Sequence, residues 1–230
     1  MRSSESGNVF FYIFLGVALF GALTYAVSQS GRGSVENVTR EQSRLRATEM
    51  IDFSDSVSKA VGTLRLRGVT LAQLRFAHAD LSNSDYGDPA LTDPAFMVFN
   101  AAGGGIIYNN PAPDAVMSAG QQWQFLTQNQ VQGFGTTCLT EACSDLVMAV
   151  ADLRTEICLM INKLSGIANP DVLPSDSDFE TAGKFNGSIT GTPEILGDES
   201  SSAVLAGKPF GCFKNEDDGR NYFYRVLWVQ

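Results

Sequence analysis

The residues of this 230-residue chain best suited to covalent chemistry are Cys138, Cys143, Cys158 and Cys212. No Cys-x2-Cys pair is present and His78 is the single histidine, so a familiar zinc site lacks ligands. An even cysteine count behind an export-like N-terminus points instead to two disulfides, for which three connectivities are open. The favoured pairing closes a small loop with Cys138 and Cys143 and staples a helix to a C-terminal sheet with Cys158 and Cys212. Four reduced core cysteines are the alternative.

Other reactive types are sparse. His78 with Asp80 invites acid–base chemistry, yet no serine or cysteine is placed by the sequence to complete such a site, and a surface or capping histidine is the better reading. Asp85, Asp88 and Asp93 lack the spacing of a calcium loop and read as solvated turns. So do Asp171, Asp176, Asp178 and Glu180. Ala101 to Gly105 has neither the glycine spacing nor the lysine of a phosphate loop, and reads as a tight turn. No catalytic residue, cofactor or metal is expected, and the expectation is a non-enzyme. Net charge is −9, which repels phosphate backbones and argues against a nucleic-acid partner.

Position is therefore more informative than reactivity. Val9 to Val27 carries no charge and spans about 28 Å as a helix at 1.5 Å per residue, close to the thickness of a bilayer core. A lipid membrane is the expected partner of this segment. Tyr12 and Tyr25 lie near its ends, where amphipathic rings rest at headgroup level. Ala18, Ala22 and Ala26 supply a small-xxx-small spacing, which makes Ala18 and Ala22 candidates for helix association.

The leader Met1 to Gly7 (MRSSESG), followed by this apolar helix and then by a polar helix with periodic apolar positions, resembles bacterial type IV pilins and type II secretion pseudopilins. The resemblance covers Met1 to about Arg75 and rests on architecture. It implies cleavage after Gly7 at the inner membrane, a mature N-terminus at Asn8, and homo- or hetero-assembly with pilin-like subunits. Where that family carries a glutamate at the fifth mature position, this chain has Tyr12, so lateral association would lack that charge partnership. The basic residues Arg32, Arg40, Arg44 and Arg46 after the anchor favour a cytoplasmic C-terminus by the positive-inside rule. The leader and the cysteines favour the opposite side, and a periplasmic or extracellular C-terminal domain is expected.

Ser28 to Ser34, with Gly31 and Gly33, reads as a kinking joint. From Glu36 to about Arg75 a helix is expected, with Met50, Phe53, Val57, Val61 and Leu64 on one face and Asp52, Asp55 and Lys59 on the wet side. Gly62 and Gly68 would allow close approach, and Arg65, Arg67 and Arg75 read as wetted or snorkelling. Phe96 to Phe99 and Ile106 to Tyr108 read as short strands. In Gln121 to Gln132, Trp123 and Gln124 form a candidate ligand surface for sugars or amides. The favoured reading of that stretch is a strand with Trp123 and Phe125 in the core and glutamines facing water. Thr140 to Leu164 is expected to be a helix, with Leu146, Val150, Leu153, Ile157, Ile161 and Leu164 buried and Gly166 as C-cap. Asn169 to Glu199 reads as a long surface loop with short strands. The chain closes on a hairpin, Phe210 to Lys214 and Tyr222 to Val229 about Asp218-Gly219, whose second face is partly exposed.

The expected fold class is α+β: an N-terminal transmembrane helix and amphipathic stalk helix packed on a C-terminal antiparallel sheet, pilin-like. The expected divisions are leader or tail 1–7, transmembrane helix 8–28, linker and amphipathic helix 29–75, and one extracytoplasmic domain 76–230. The leading function is a pilin-like or pseudopilin-like structural component of the bacterial inner membrane and envelope. A membrane-anchored ligand-binding or sensor domain is the alternative.

Overall fold

The computed structural model describes residues 8–136, 138–140, 143–189 and 191–230, with side-chain surroundings from 10–25 and from 39 onward. The expected leader, and its cleavage position Gly7, lie outside the described residues. The fold class is α+β with a mixed sheet. Two compact units divide the chain at Gln42/Ser43.

Helix α1 spans Asn8–Leu66. The joint expected at Ser28 to Ser34 is instead helical. Gly31 and Gly33 each weaken a helix by about 1 kcal/mol, but neither removes a backbone donor as proline would. In the first unit, every residue from Phe10 to Tyr25 is exposed. Thr24 turns its hydroxyl back onto the carbonyls of Phe20 and Gly21 at 2.9 and 3.0 Å, so this polar group is satisfied inside the helix. Among the described residues no helix is long and apolar enough to cross a membrane. Val9, Ala26 and Val27 of the expected span lie outside the described side chains.

In the second unit, α1 presents the anticipated face. Met50, Val57, Val61 and Leu64 are buried, with Ala47 and Ala60 filling the row between them. The helix ends nine residues before Arg75, because Gly68 takes φ +88° and reverses the chain. The amides of Gly68 and Val69 then return to the carbonyls of Arg65 and Leu64 at 2.9 and 3.1 Å.

The strands are β1 Gln124–Val131, β2 Asp145–Val150, β3 Ser175–Asp176, β4 Glu194–Leu196, β5 Phe210–Asn215 and β6 Asn221–Trp228. Their order is β3-β5-β6-β2-β1-β4. The central four are antiparallel, whereas β3 and β4 add to the edges in parallel. The sheet is thus mixed, because the long Asn169 to Glu199 segment contributes both edges. The C-terminal hairpin has the expected arms, with Cys212 opposite Phe223 and Lys214 opposite Asn221.

The helix expected over Thr140 to Leu164 is a strand followed by a shorter helix. Leu146 and Val150 belong to β2, every residue of which is buried; after the one-turn helix α2, Asn83–Tyr86, the next helix is α3, Thr155–Leu164. A segment dry on both faces loses the alternation that marks a strand, so helix-like spacing appears by coincidence. The C-cap of α3 is Ser165, not Gly166, which follows it at φ +67° and turns the chain so that the Ile167 amide reaches back to the Asn162 carbonyl at 3.0 Å.

The two short strands expected near Phe96 and Ile106 are also replaced. Pro94–Phe96 is a 3-10 turn capped by Asp93, and Met97 makes a single bridge to Arg75. The following turn needs its glycines: a Cβ on Gly104 would fall 2.5 Å from the Val98 carbonyl and 3.1 Å from Ala60 of α1. Gly62, expected to allow such an approach, has open space beside it.

Both faces of the sheet are covered. Phe125, Leu146, Met148 and Phe223 meet the α1 face and Phe76. On the reverse, Leu126, Val147, Phe213, Tyr222 and Tyr224 meet Ile167, Phe179, Leu196 and Leu205. The second face of the last strand is therefore not partly exposed as expected. The polar 166–207 segment carries enough isolated apolar residues to roof it.

Candidate functional site

One concavity of the second unit is a groove of about 260 Å³ between α1 and the loop Asn109 to Ala112. Helical spacing brings Arg46, Glu49, Met50 and Phe53 to one side, and Pro111 helps hold the loop opposite. The floor is apolar. Trp123 is 2% exposed, its ring 5.4 Å from that of Phe53, and its indole N–H donates to the Asn109 carbonyl at 3.0 Å. The rim is charged: Arg46 meets Glu49 and Asp114, each at 2.8 Å. Two carboxylates on one guanidinium leave the rim one negative charge, and those hydrogen bonds hold the Arg46 pKa above its usual value.

Trp123 and Gln124 do not form the open surface that a ligand reading requires. Trp123 is core, and Gln124 spends its carbonyl on Lys184 Nζ at 2.7 Å. Nor do the glutamines of β1 all face water, since Gln130 is buried and bonded to the Cys138 backbone. The cysteines pair as favoured, Cys138 with Cys143 and Cys158 with Cys212, at Cα separations of 5.6 and 5.3 Å. The second bridge joins α3 to β5. Ala18 and Ala22 are both exposed on α1. Asn8 begins that helix, with its side chain outside the described set.

The remaining reactive types serve local structure. His78 Nδ1 accepts the Asp80 amide at 3.1 Å, and its ring lies 4.7 Å from that of Tyr108. Asp88 and Asp93 accept the amides of Ala90 and Ala95, as turn caps do. Among the described residues no group of three or more His, Cys, Asp or Glu side chains is placed to hold a metal ion. All four cysteines are oxidised, so no thiol is free.

Several charged groups are more buried than their types suggest. Asp176 is fully buried, not solvated, and accepts amides from Asp178 and Gly197 at 2.9 Å each. Burial nevertheless raises its pKa. Asp145, at the start of β2, is 2% exposed; burial pushes its carboxyl up to about 7, although the amides of Gln230 and Val131 donate to it. Its Oδ2 has no partner among the described residues. Arg225 points from β6 toward α1 and pairs with Asp55, and Arg65 lies 4.5 Å over Trp228. Arg67 donates to the Gly103 carbonyl and Arg75 to those of Ala72 and Leu74, so these arginines are anchored and not freely wetted.

Sequence reasoning missed the groove, Asp145 and the Asp55–Arg225 pair. One signal was available for the pair: an arginine alternating with Phe223 and Leu227 on one face of an otherwise apolar strand demands a carboxylate from whatever packs on that face. Comparison with protein-family models, curated proteins and solved structures found no match.

Proposed function

We propose that this chain is a single-pass, membrane-anchored, pilin-like structural subunit of the bacterial envelope. Its second unit lies outside the inner membrane, and it acts by associating with copies of itself or with related subunits. The carrying observation is the exposure of Phe10, Phe11, Tyr12, Ile13 and Phe14 at 56 to 73%, five successive positions that encircle α1. Burying one such side chain is worth about 1.5–3 kcal/mol, so water is a poor medium for this segment and lipid a suitable one. Two disulfides fit an oxidising compartment.

The test is extraction of the native chain followed by N-terminal sequencing and crosslinking in membranes. Detergent-dependent extraction, an N-terminus at Asn8 and adducts between subunits support the reading. A chain that leaves membranes in salt alone, or stays monomeric at every expression level without a heteromeric partner, overturns it. A larger concavity of about 400 Å³ beside Asn169, Asp171, Leu173 and Ser201 favours a second reading, a membrane-anchored ligand-binding domain, which requires saturable binding without assembly.

A further inference from the structure

The groove beside Trp123 is small for a ligand and well sized for a side chain. Its 260 Å³ falls below the roughly 300–1,000 Å³ that encloses whole small molecules. Single buried anchors in such pockets dominate many protein interfaces.

The second unit carries a matching knob. Leu66, the last residue of α1, is 90% exposed, the highest value among its large exposed apolar side chains. Arginines flank it, and both are held in place: Arg65 over the Trp228 ring and Arg67 on the Gly103 carbonyl. A leucine between two fixed positive charges complements an apolar groove whose Arg46, Glu49 and Asp114 rim carries one net negative charge.

Building on the assembly reading above, we propose that Leu66 of one copy seats in the Met50, Phe53 and Trp123 groove of a second copy. Arg65 and Arg67 then face Glu49 and Asp114 of the copy that receives it. Knob and groove are different patches, so the contact is heterologous, and repeated use builds a chain of subunits and not a closed pair. From Met50 to Leu66 the helix climbs about 24 Å at 1.5 Å per residue, so each copy offers its knob well away from the groove that receives the next. The contact is local to the second unit and needs no charge within the membrane segment.

The test uses the full-length chain in native membranes, with a benzophenone amino acid in place of Leu66 and, separately, in place of Ala22. The expected result is an adduct between two copies from position 66, mapped to a peptide containing Arg46 to Phe53 or Asn109 to Ala112. Filling the groove with Ala112→Trp, or reversing the rim with Glu49→Lys, should each lower that yield about tenfold, as loss of a modest hot spot does. Glu49 is exposed, so its variant leaves the fold intact. Adducts between copies from position 22 but none from 66 overturn this contact and leave the assembly reading standing. Adducts from 66 to an unrelated protein, or yields unchanged by both variants, overturn it as well. No subunit adducts from either position overturn the assembly reading, and this contact with it.

Discussion

Asp55 of α1 and Arg225 of β6 form an ion pair across the helix–sheet interface, with Arg225 also 5.0 Å over the Phe210 ring. The Arg225 side chain is 13% exposed, and its Nε and Nη1 have no partner among the described residues. Burial lowers its pKa, and Asp55 opposes that shift. The pair therefore fixes where the helix lies along the sheet, while contributing less net stability than its geometry suggests.

Removing only Asp55 strands the buried cation. Asp55→Ala should destabilise the detergent-solubilised chain by about 2 kcal/mol, below the value for a fully buried pair because Asp55 remains partly exposed. Asp55→Leu with Arg225→Met should recover most of that loss. Thermal melts of the single and double variants check this, and a double variant as weak as Asp55→Ala would show that the pair itself carries the stability.

Asp145 sets a pH dependence whose sign follows from its raised pKa. The group costs nothing below its ordinary value near 3.8, where both states are protonated, and stability is lost as pH rises toward about 7. Asp145→Asn should melt higher than the parent at pH 8 and converge with it near pH 4. Parallel melting curves across that range would refute the assignment.

The disulfides should contribute unequally. Cys158–Cys212 closes 54 residues of sequence and Cys138–Cys143 only 5. Chain-entropy arguments give about 4 and about 2 kcal/mol respectively, so paired alanine substitutions at 158 and 212 should lower Tm more than those at 138 and 143. Equal losses would point to native-state effects near the short loop.

Two glycines should respond in opposite directions. Gly62→Ala meets no atom within 4 Å inside a helix and should stabilise by about 0.5–1 kcal/mol. Gly104→Ala drives its Cβ into the Val98 carbonyl and should destabilise by about 1–3 kcal/mol. Denaturant midpoints measured side by side decide both.

Local pattern alone determined the apolar N-terminal segment, the buried face from Met50 to Leu64 and the Phe210 to Trp228 hairpin. Each depends on contrast between a wet and a dry side, or on residue types that need no neighbours to be recognised. Tertiary structure decided the rest. Leu146 to Val150 became a strand because Phe223 and Tyr224 pair beside it and cores cover both faces, leaving no contrast to read. Asp145 and Asp176 look like ordinary solvated acids in sequence, and Arg225 is only a charge within an apolar strand. Their titration is governed by how much water and which amides or carboxylates distant segments leave beside them. The groove is likewise a property of packing: Arg46 and Phe53 meet Asn109 to Ala112 and Trp123 only when α1 lies on the sheet.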